Sequence, residues 1–202
     1  RWTQARYIKS PAPAANDRFG IVVSLSRDGQ WAAVGQVPAA GAGTVFVYRS
    51  VAGAWAFHAA LRGGNTVAGD NFGRRLQLSE DAATLVVGAA GEAGSQALAW
   101  PDSSGADNGL PGAGAVYVFT RDGTDTWSES AYLKSPTPQA SAWFGHDVSV
   151  SGSGNTIAIG EPVEPSAGRA HVYMKQGASW VRQATLSSPH PDPVWGFGEF
   201  LA

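Results

Sequence analysis

One sequence motif recurs along the chain, and this repeat constrains the fold more than any other feature. A Phe-Gly pair occurs four times within the 202 residues, and a tryptophan lies 17 positions before each pair. Two apolar stretches follow each of the first three pairs at fixed offsets, and a glycine ends the second stretch 16 positions after the phenylalanine. We interpret the recurring aromatic residues and glycines as the structural signature of a tandem repeat. They are Phe19, Gly20, Phe72, Gly73, Phe144, Gly145, Phe197, Gly198, Trp2, Trp55, Trp127 and Trp180.

Each complete copy of the repeat predicts four short β-strands. The first stretch alternates apolar and polar residues, and the second and third are rich in β-branched and aromatic residues. The fourth begins at the repeat tryptophan, and turn sequences such as "RDG" at 27–29 and 121–123 separate the stretches. A tandem four-stranded antiparallel unit of this length is typical of a β-propeller blade. A solenoid of hairpins is the alternative, although its repeats are usually shorter.

The predicted fold class is therefore all-β, a β-propeller segment of four-stranded antiparallel blades. Complete blades are expected at 20–61, 73–133 and 145–186, with an orphan outer strand at 2–10 and an orphan inner strand at 198–202. Propellers typically have about four to eight blades. We therefore expect the chain to be a segment of a longer propeller, or to be completed by partner chains that close the ring.

The repeat resembles the FG-GAP repeat of integrin α-subunits and of many secreted or surface bacterial proteins. The best matches are "VVGAAGE" at 86–92 and "GAVYVFTRDGTDTWSESAYLKS" at 114–135. The resemblance implies that Phe-Gly begins the innermost strand of a blade and that the tryptophan strand is outermost. It also implies an extracellular, secreted or cell-surface protein that acts in adhesion, assembly or protein binding.

Members of the family that the repeat resembles often carry D-x-D-x-D-G, a calcium loop, between the first and second strands. Calcium is held by about six to eight oxygen ligands, several of them carboxylates. Here each loop supplies at most one carboxylate, so we expect no cofactor and no calcium in these loops. The matching residues are Ser24, Ser26 and Asp28, then Gln77, Ser79 and Asp81, then Ser149, Ser151 and Ser153.

A long loop distinguishes the second unit from the other two. From the glycine that ends the second stretch to the third stretch there are 26 positions in this unit, against 8 in the others. Long loops on rigid scaffolds often bind ligands, so Trp100, Asp102, Asp107 and Asn108 are the candidate ligand-binding residues for a sugar or a peptide. Two other interpretations stay open: Trp100 folds over the blade beside solvated acids, or the two aspartates and Asn108 hold a weak calcium.

Composition and motifs narrow the function. The formal net charge of −2 does not indicate the excess of basic residues that is typical of nucleic-acid-binding proteins. No apolar run reaches the roughly 20 residues that a helix needs to cross a membrane. The sequence lacks cysteine, and it lacks the G-x-S-x-G, H-E-x-x-H and phosphate-loop motifs. We predict a non-catalytic propeller module that binds protein at the extracellular surface. The alternatives are a glycan-binding propeller and a non-catalytic sector of a larger secreted enzyme.

Overall fold

The chain folds into three antiparallel β-sheets, and its described part contains no helix. The structure is a computed structural model that describes residues 3–4, 6–97, 99–100, 103, 107–162, 168–189 and 196–201. Sheet I contains β1 (Val23–Leu25), β2 (Trp31–Gln36), β3 (Thr44–Val51) and β4 (Ala54–Leu61). Sheet II contains β5 (Arg75–Leu78), β6 (Thr84–Ala89), β7 (Ala99–Trp100), β8 (Ala115–Arg121) and β9 (Trp127–Leu133). Sheet III contains β10 (Val148–Val150), β11 (Thr156–Glu161), β12 (Arg169–Gln176) and β13 (Ser179–Leu186).

The strand order confirms an all-β fold built from four-stranded antiparallel blades. Sheets I and III run in sequence order, β1-β2-β3-β4 and β10-β11-β12-β13. Sheet II has the order β5-β6-β8-β9-β7, so a two-residue strand from the long loop is added outside the tryptophan strand β9. The expectation that the tryptophan strand is outermost is therefore wrong for sheet II. The reason is that a loop of this length can fold back and pair with the otherwise open edge of β9.

Serine hydroxyls close the hairpin between the first two strands of every sheet. The Oγ atoms of Ser26, Ser79 and Ser151 each accept a hydrogen bond from a backbone N–H five residues later, at 3.0, 3.0 and 3.1 Å. A side chain that satisfies the backbone in this way lets a short polar loop turn tightly. The three loops thus have one local geometry despite their different sequences.

The sheets stack in sequence order, with sheet II between the other two. Trp31, Val45 and Val47 of sheet I share one core with Leu85 and Tyr117 of sheet II. The other face of sheet II packs on sheet III through a second core that contains Val86, Val118, Ile157, Ile159 and Tyr173. Because β6 is covered on both faces, all six of its residues are buried, and its sequence is a nearly continuous apolar run.

The first strands of successive sheets lie side by side. The backbone N–H of Leu78 in β5 donates to Ser24 Oγ in β1 at 3.0 Å. The backbone N–H of Val150 in β10 donates in turn to Gln77 Oε1 in β5 at 2.6 Å. The first strands therefore converge on one side of the stack, as inner strands of propeller blades do.

The first three repeat phenylalanines each pack on the third strand of their own sheet, and Phe72 and Phe144 do so on the side of the preceding sheet. The ring of Phe72 lies 5.3 Å from that of Tyr117, and Phe144 lies 6.4 Å from Tyr173. Phe19 packs in the same way on sheet I, 5.9 Å from Phe46.

Two of the repeat tryptophans, Trp127 and Trp180, also face the preceding sheet. Trp127 reaches Trp31 of sheet I at 6.3 Å, and Trp180 is buried in the core between sheets II and III. Trp55 packs on the outer face of sheet I, against the cluster of Phe46 and Tyr48. Trp2 lies outside the described residues.

Neither terminal segment forms the predicted strand within the described residues. Residues 3–4 and 6–10 have no strand assignment, and neither do residues 198–201. A β-strand is held by hydrogen bonds to a neighbouring strand, and these two segments pair with none of the described strands. Instead Ile8 packs on the outer face of sheet I, and Tyr48 Oη donates to the Lys9 carbonyl at 3.0 Å.

In the part of the chain that the structure describes, no helix has the length and apolarity needed to cross a membrane.

Candidate functional site

A pocket of about 230 Å³ lies where the first strands of sheets II and III begin. We call it the rim pocket and define it by Asn71, Arg74, Arg75, Trp143 and His146, which line it together with backbone from β6. Its side chains come from the two Phe-Gly turns of successive blades. It therefore exists only because the two sheets pack side by side.

The repeat itself places these side chains. Asn71 and Trp143 immediately precede the repeat phenylalanines, with left-handed φ values of 59° and 60°, and Arg18 has the same conformation in the first unit at 53°. The backbone N–H of Arg74 donates to the Asn71 carbonyl at 3.0 Å, and that of His146 to the Trp143 carbonyl at 2.9 Å. The turn is thus common to the copies, whereas the side chains that it presents differ from one copy to the next.

The charge of the rim pocket is only partly neutralised. Arg75 Nε lies 3.4 Å from Asp147 Oδ1, and Asp147 Oδ2 accepts a hydrogen bond from the backbone N–H of Leu201 at 2.7 Å. The guanidinium of Arg74 is exposed and has no ion-pair partner among the described residues. One uncompensated positive charge therefore faces the pocket.

An aromatic pair forms the opposite wall. The rings of Trp143 and His146 stack with centroids 6.1 Å apart and planes 18° from parallel. Trp143 is 44% exposed, and His146 Nδ1 is buried without a hydrogen-bond partner in the described structure. The described residues of the lining include no carboxylate, serine or cysteine side chain. The described lining is therefore equipped to bind an anion beside an aromatic surface.

The predicted ligand residue Asp107 makes its hydrogen bonds inside the long loop. Its Oδ2 accepts from Ser95 Oγ at 2.6 Å, and its Oδ1 accepts from the backbone N–H groups of Ser95 at 2.8 Å and Gly109 at 3.2 Å. These hydrogen bonds, led by that from the Ser95 hydroxyl, lower the pKa of Asp107 below its usual value of 3.8.

The other predicted ligand residues contact different parts of the molecule. Asn108 Nδ2 lies 3.4 Å from Asn65 Oδ1. Trp100 is 49% exposed, donates from Nε1 to the Ala97 carbonyl at 3.2 Å, and lines a groove beside Trp180 of sheet III. Asp102 lies outside the described residues. A ligand site made from these four residues therefore stays a prediction.

A buried ion pair that the sequence did not predict lies beneath the long loop. Lys134 Nζ lies 2.7 Å from Glu92 Oε2, and both side chains are fully buried. Glu92 Oε1 also accepts hydrogen bonds from Asn65 Nδ2 at 2.7 Å and from the Gly94 N–H at 2.9 Å. Burial lowers the pKa of Lys134, against the attraction of Glu92, which raises it. The two residues stand within the best-matching repeat segments, but nothing in the sequence pairs them.

The carboxylates of the hairpin loops face hydrogen-bond donors. Asp28 Oδ1 lies 2.5 Å from Ser26 Oγ and 2.9 Å from the Gln30 N–H, and these contacts lower the pKa of Asp28. Asp81 makes the corresponding contacts in sheet II. Burial raises its pKa, but the hydrogen bonds from Ser79 and Ala83 contribute to a net lowering below the usual value. Among the described residues, no group of three or more histidine, aspartate and glutamate side chains is placed to hold a metal ion.

Comparisons with known proteins support the fold class. No protein-family model and no curated protein matches this sequence. A candidate 6-phosphogluconolactonase from Bacteroides uniformis is similar in structure, with a TM-score of 0.50 and 14% identity over 84% of this chain and 40% of its own. TolB from Acinetobacter baumannii has a TM-score of 0.33 and 11% identity over 90% of this chain and 46% of its own.

The chain spans less than half the length of these two structures. At this level of identity the first likeness concerns the fold alone, and it agrees with a β-propeller-like arrangement of blades. The resemblance to FG-GAP repeats stays a hypothesis.

Proposed function

We propose that this chain is a non-catalytic recognition module of a propeller, and that its ligand face is the side where the first strands begin. One observation carries this proposal: turns of fixed geometry bring Arg74, Trp143 and His146 together, and the blade architecture does not require any of these three side chains. The first unit has Arg18 and Ile21 at the corresponding positions. Binding residues commonly lie on loops that a rigid scaffold positions.

Binding is favoured over catalysis by the groups in the rim pocket. Hydrolysis needs a nucleophile or an activated water, a base and a group that stabilises developing charge. Among the described residues of the lining, His146 is the one imidazole, and no side chain orients it through a hydrogen bond to Nδ1. A sector of a larger enzyme remains the alternative, and it agrees with the structural likeness to a candidate 6-phosphogluconolactonase.

A protein partner at the extracellular or cell surface is our first choice of ligand, in keeping with the resemblance to FG-GAP repeats. The same proposal assigns the outer faces of sheets I and III to further blades or to partner chains. A glycan is the second choice, because Trp143 and Trp100 are 44% and 49% exposed and exposed indole rings can pack on apolar surfaces of a ligand.

A selection experiment tests the proposal. The purified chain is presented to a random-peptide display library and to a glycan array, beside an Arg74→Ala/Trp143→Ala variant and a Trp100→Ala control. We expect the parent chain and the control to enrich the same peptides, and the double variant to lose them. Equal enrichment by the double variant would refute the rim as the ligand face. Turnover of a sugar-phosphate lactone that the double variant loses would instead indicate an enzyme.

A further inference from the structure

We propose, building on the function above, that the rim pocket binds the carboxylate of an aspartate or glutamate side chain that a protein partner presents to Arg74. The arginine fork matches a carboxylate through two parallel N–H···O hydrogen bonds. A precedent lies beside the pocket, where Nε of the neighbouring Arg75 lies 3.4 Å from the Asp147 carboxylate. The Asp147 carboxylate accepts a hydrogen bond from the Leu201 N–H and pairs with Arg75. The guanidinium of Arg74 is therefore available to bind a ligand.

The size of the pocket fits one side chain. Pockets that enclose whole small-molecule ligands have volumes of about 300–1,000 Å³, and the rim pocket has about 230 Å³. A single carboxylate with its short aliphatic stem fits a space of this size. The stem would lie against the exposed indole of Trp143.

The backbone around the pocket favours a carboxylate over a phosphate. Phosphate sites commonly use several free backbone N–H groups in addition to basic side chains. Here the N–H groups of Arg74, Gly91, Gly145 and His146 already donate to the carbonyls of Asn71, Asp70, Gly160 and Trp143, at 2.9 to 3.0 Å. The donors that remain are mainly the guanidinium groups, which suit an anion with two oxygens in one plane.

The aromatic wall can hold the aliphatic stem of such a side chain. Trp143 is 44% exposed, and the ring of His146 lies nearly parallel to it with the centroids 6.1 Å apart. An exposed indole can also pack on a sugar ring, so glucuronate is one of the probes that test the proposal.

NMR titration tests the proposal with defined probes. Trp143 indole and His146 imidazole resonances are followed while N-acetyl-Gly-Asp-Gly-amide, its Asp→Asn analogue, glucuronate or inorganic phosphate is added. We expect saturable shifts with the aspartyl peptide, at least about tenfold weaker binding of the asparaginyl peptide, and weaker binding at higher salt. Equal binding of the two peptides would overturn the proposal, and so would tighter binding of glucuronate or phosphate.

Variants of Arg74 sharpen the test. Arg74→Ala should abolish the shifts, and Arg74→Lys should retain only part of the affinity because lysine lacks the planar fork. Arg27→Ala is the matched control, since Arg27 is an exposed arginine beside Glu80 in the β1–β2 loop. Unchanged binding by Arg74→Ala, with its circular dichroism spectrum intact, would refute the carboxylate site. The recognition module itself would then stand only if the selected peptides still required Arg74 and Trp143.

Discussion

Glycines 88 and 114 show how single residues let two blades approach each other. A Cβ atom at Gly88 would overlap the Gly145 carbonyl oxygen, and one at Gly114 would overlap the Phe144 carbonyl oxygen. The same contacts recur where sheet I meets Phe72-Gly73 and where sheet III meets Phe197-Gly198. The two glycines of each blade thus form the surface on which the next Phe-Gly turn docks.

Gly88→Ala should therefore destabilise the protein by about 1–3 kcal/mol or more, because the added methyl group must displace backbone of the next blade. The measurement is urea unfolding followed by circular dichroism. Gly123→Ala is the control, since a Cβ there meets no atom within 4 Å. Equal stability of the Gly88 variant and the parent protein would contradict the docking contact.

A second residue-scale prediction concerns the pKa of Asp107. Ser95→Ala removes the hydroxyl that contributes most to lowering this pKa, so the pKa should rise toward 3.8. Because the folded-state pKa of Asp107 is lowered, its stabilising contribution is present above pH 3.8 and is lost as the pH falls through the folded-state value. Side-chain carboxyl NMR measures this pKa.

Asp122 is the internal control for the Ser95 variant. Its own hydrogen bonds, first from Thr124 Oγ1 and then from backbone N–H groups, lower its pKa. That pKa should not change in Ser95→Ala. An unchanged pKa for Asp107 would show that the loop is not held by this contact.

At the scale of the elements, the long loop of sheet II is anchored rather than loose. Leu110 N–H donates to the Ala93 carbonyl at 2.6 Å, the Gly114 N–H donates to the Glu92 carbonyl at 2.8 Å, and β7 pairs with the edge of β9. Beneath these contacts lies the buried Glu92–Lys134 pair. The ion pair therefore joins the start of the loop to the end of β9.

Lys134→Met should destabilise the protein by about 3–5 kcal/mol, because it leaves the Glu92 carboxylate buried without its cation. The double variant Glu92→Gln/Lys134→Met should lose less than the lysine variant alone, since no unpaired buried charge remains. A double-mutant cycle by urea unfolding measures both values. Additive losses in the cycle would mean that the two side chains do not interact in solution.

The sequence predicted the strands well and the site poorly, for physical reasons. Strand positions follow from local alternation of apolar and polar residues and from fixed offsets, so β1, β5 and β10 fall where the repeat places them. Glu92 and Lys134 are 42 positions apart, and Arg74 and Trp143 come from different blades. Contacts between distant residues leave no periodic pattern, and the two-residue β7 is too short to show one.

At the scale of the whole molecule, the stack of sheets leaves apolar outer faces. Val23, Leu25 and Phe57 on the outer face of sheet I are 54%, 57% and 50% exposed, and they lie opposite Val34, Ala32 and Tyr48 of the same face. Apolar patches of this kind commonly mark surfaces that pack against other protein. We therefore expect the isolated chain to self-associate.

Sedimentation velocity over a range of concentrations tests this expectation. The parent chain should associate increasingly with concentration, and Leu25→Ser/Phe57→Ser should shift the distribution toward monomer. Val51→Ser is the control, because Val51 is 59% exposed at the end of β3, in the hairpin to β4. A chain that stays monomeric at every concentration would show that the outer face of sheet I is stable in contact with water and does not drive self-association.

Ligands should bind at the rim of the first strands rather than at the long loop. Hydrogen exchange of the chain, free and saturated with the tightest peptide from the display selection, tests it most directly. Protection on binding should appear at residues 71–75 and 143–146, and exchange at residues 92–110 should be unchanged. Protection confined to residues 92–110, with the rim unaffected, would contradict it.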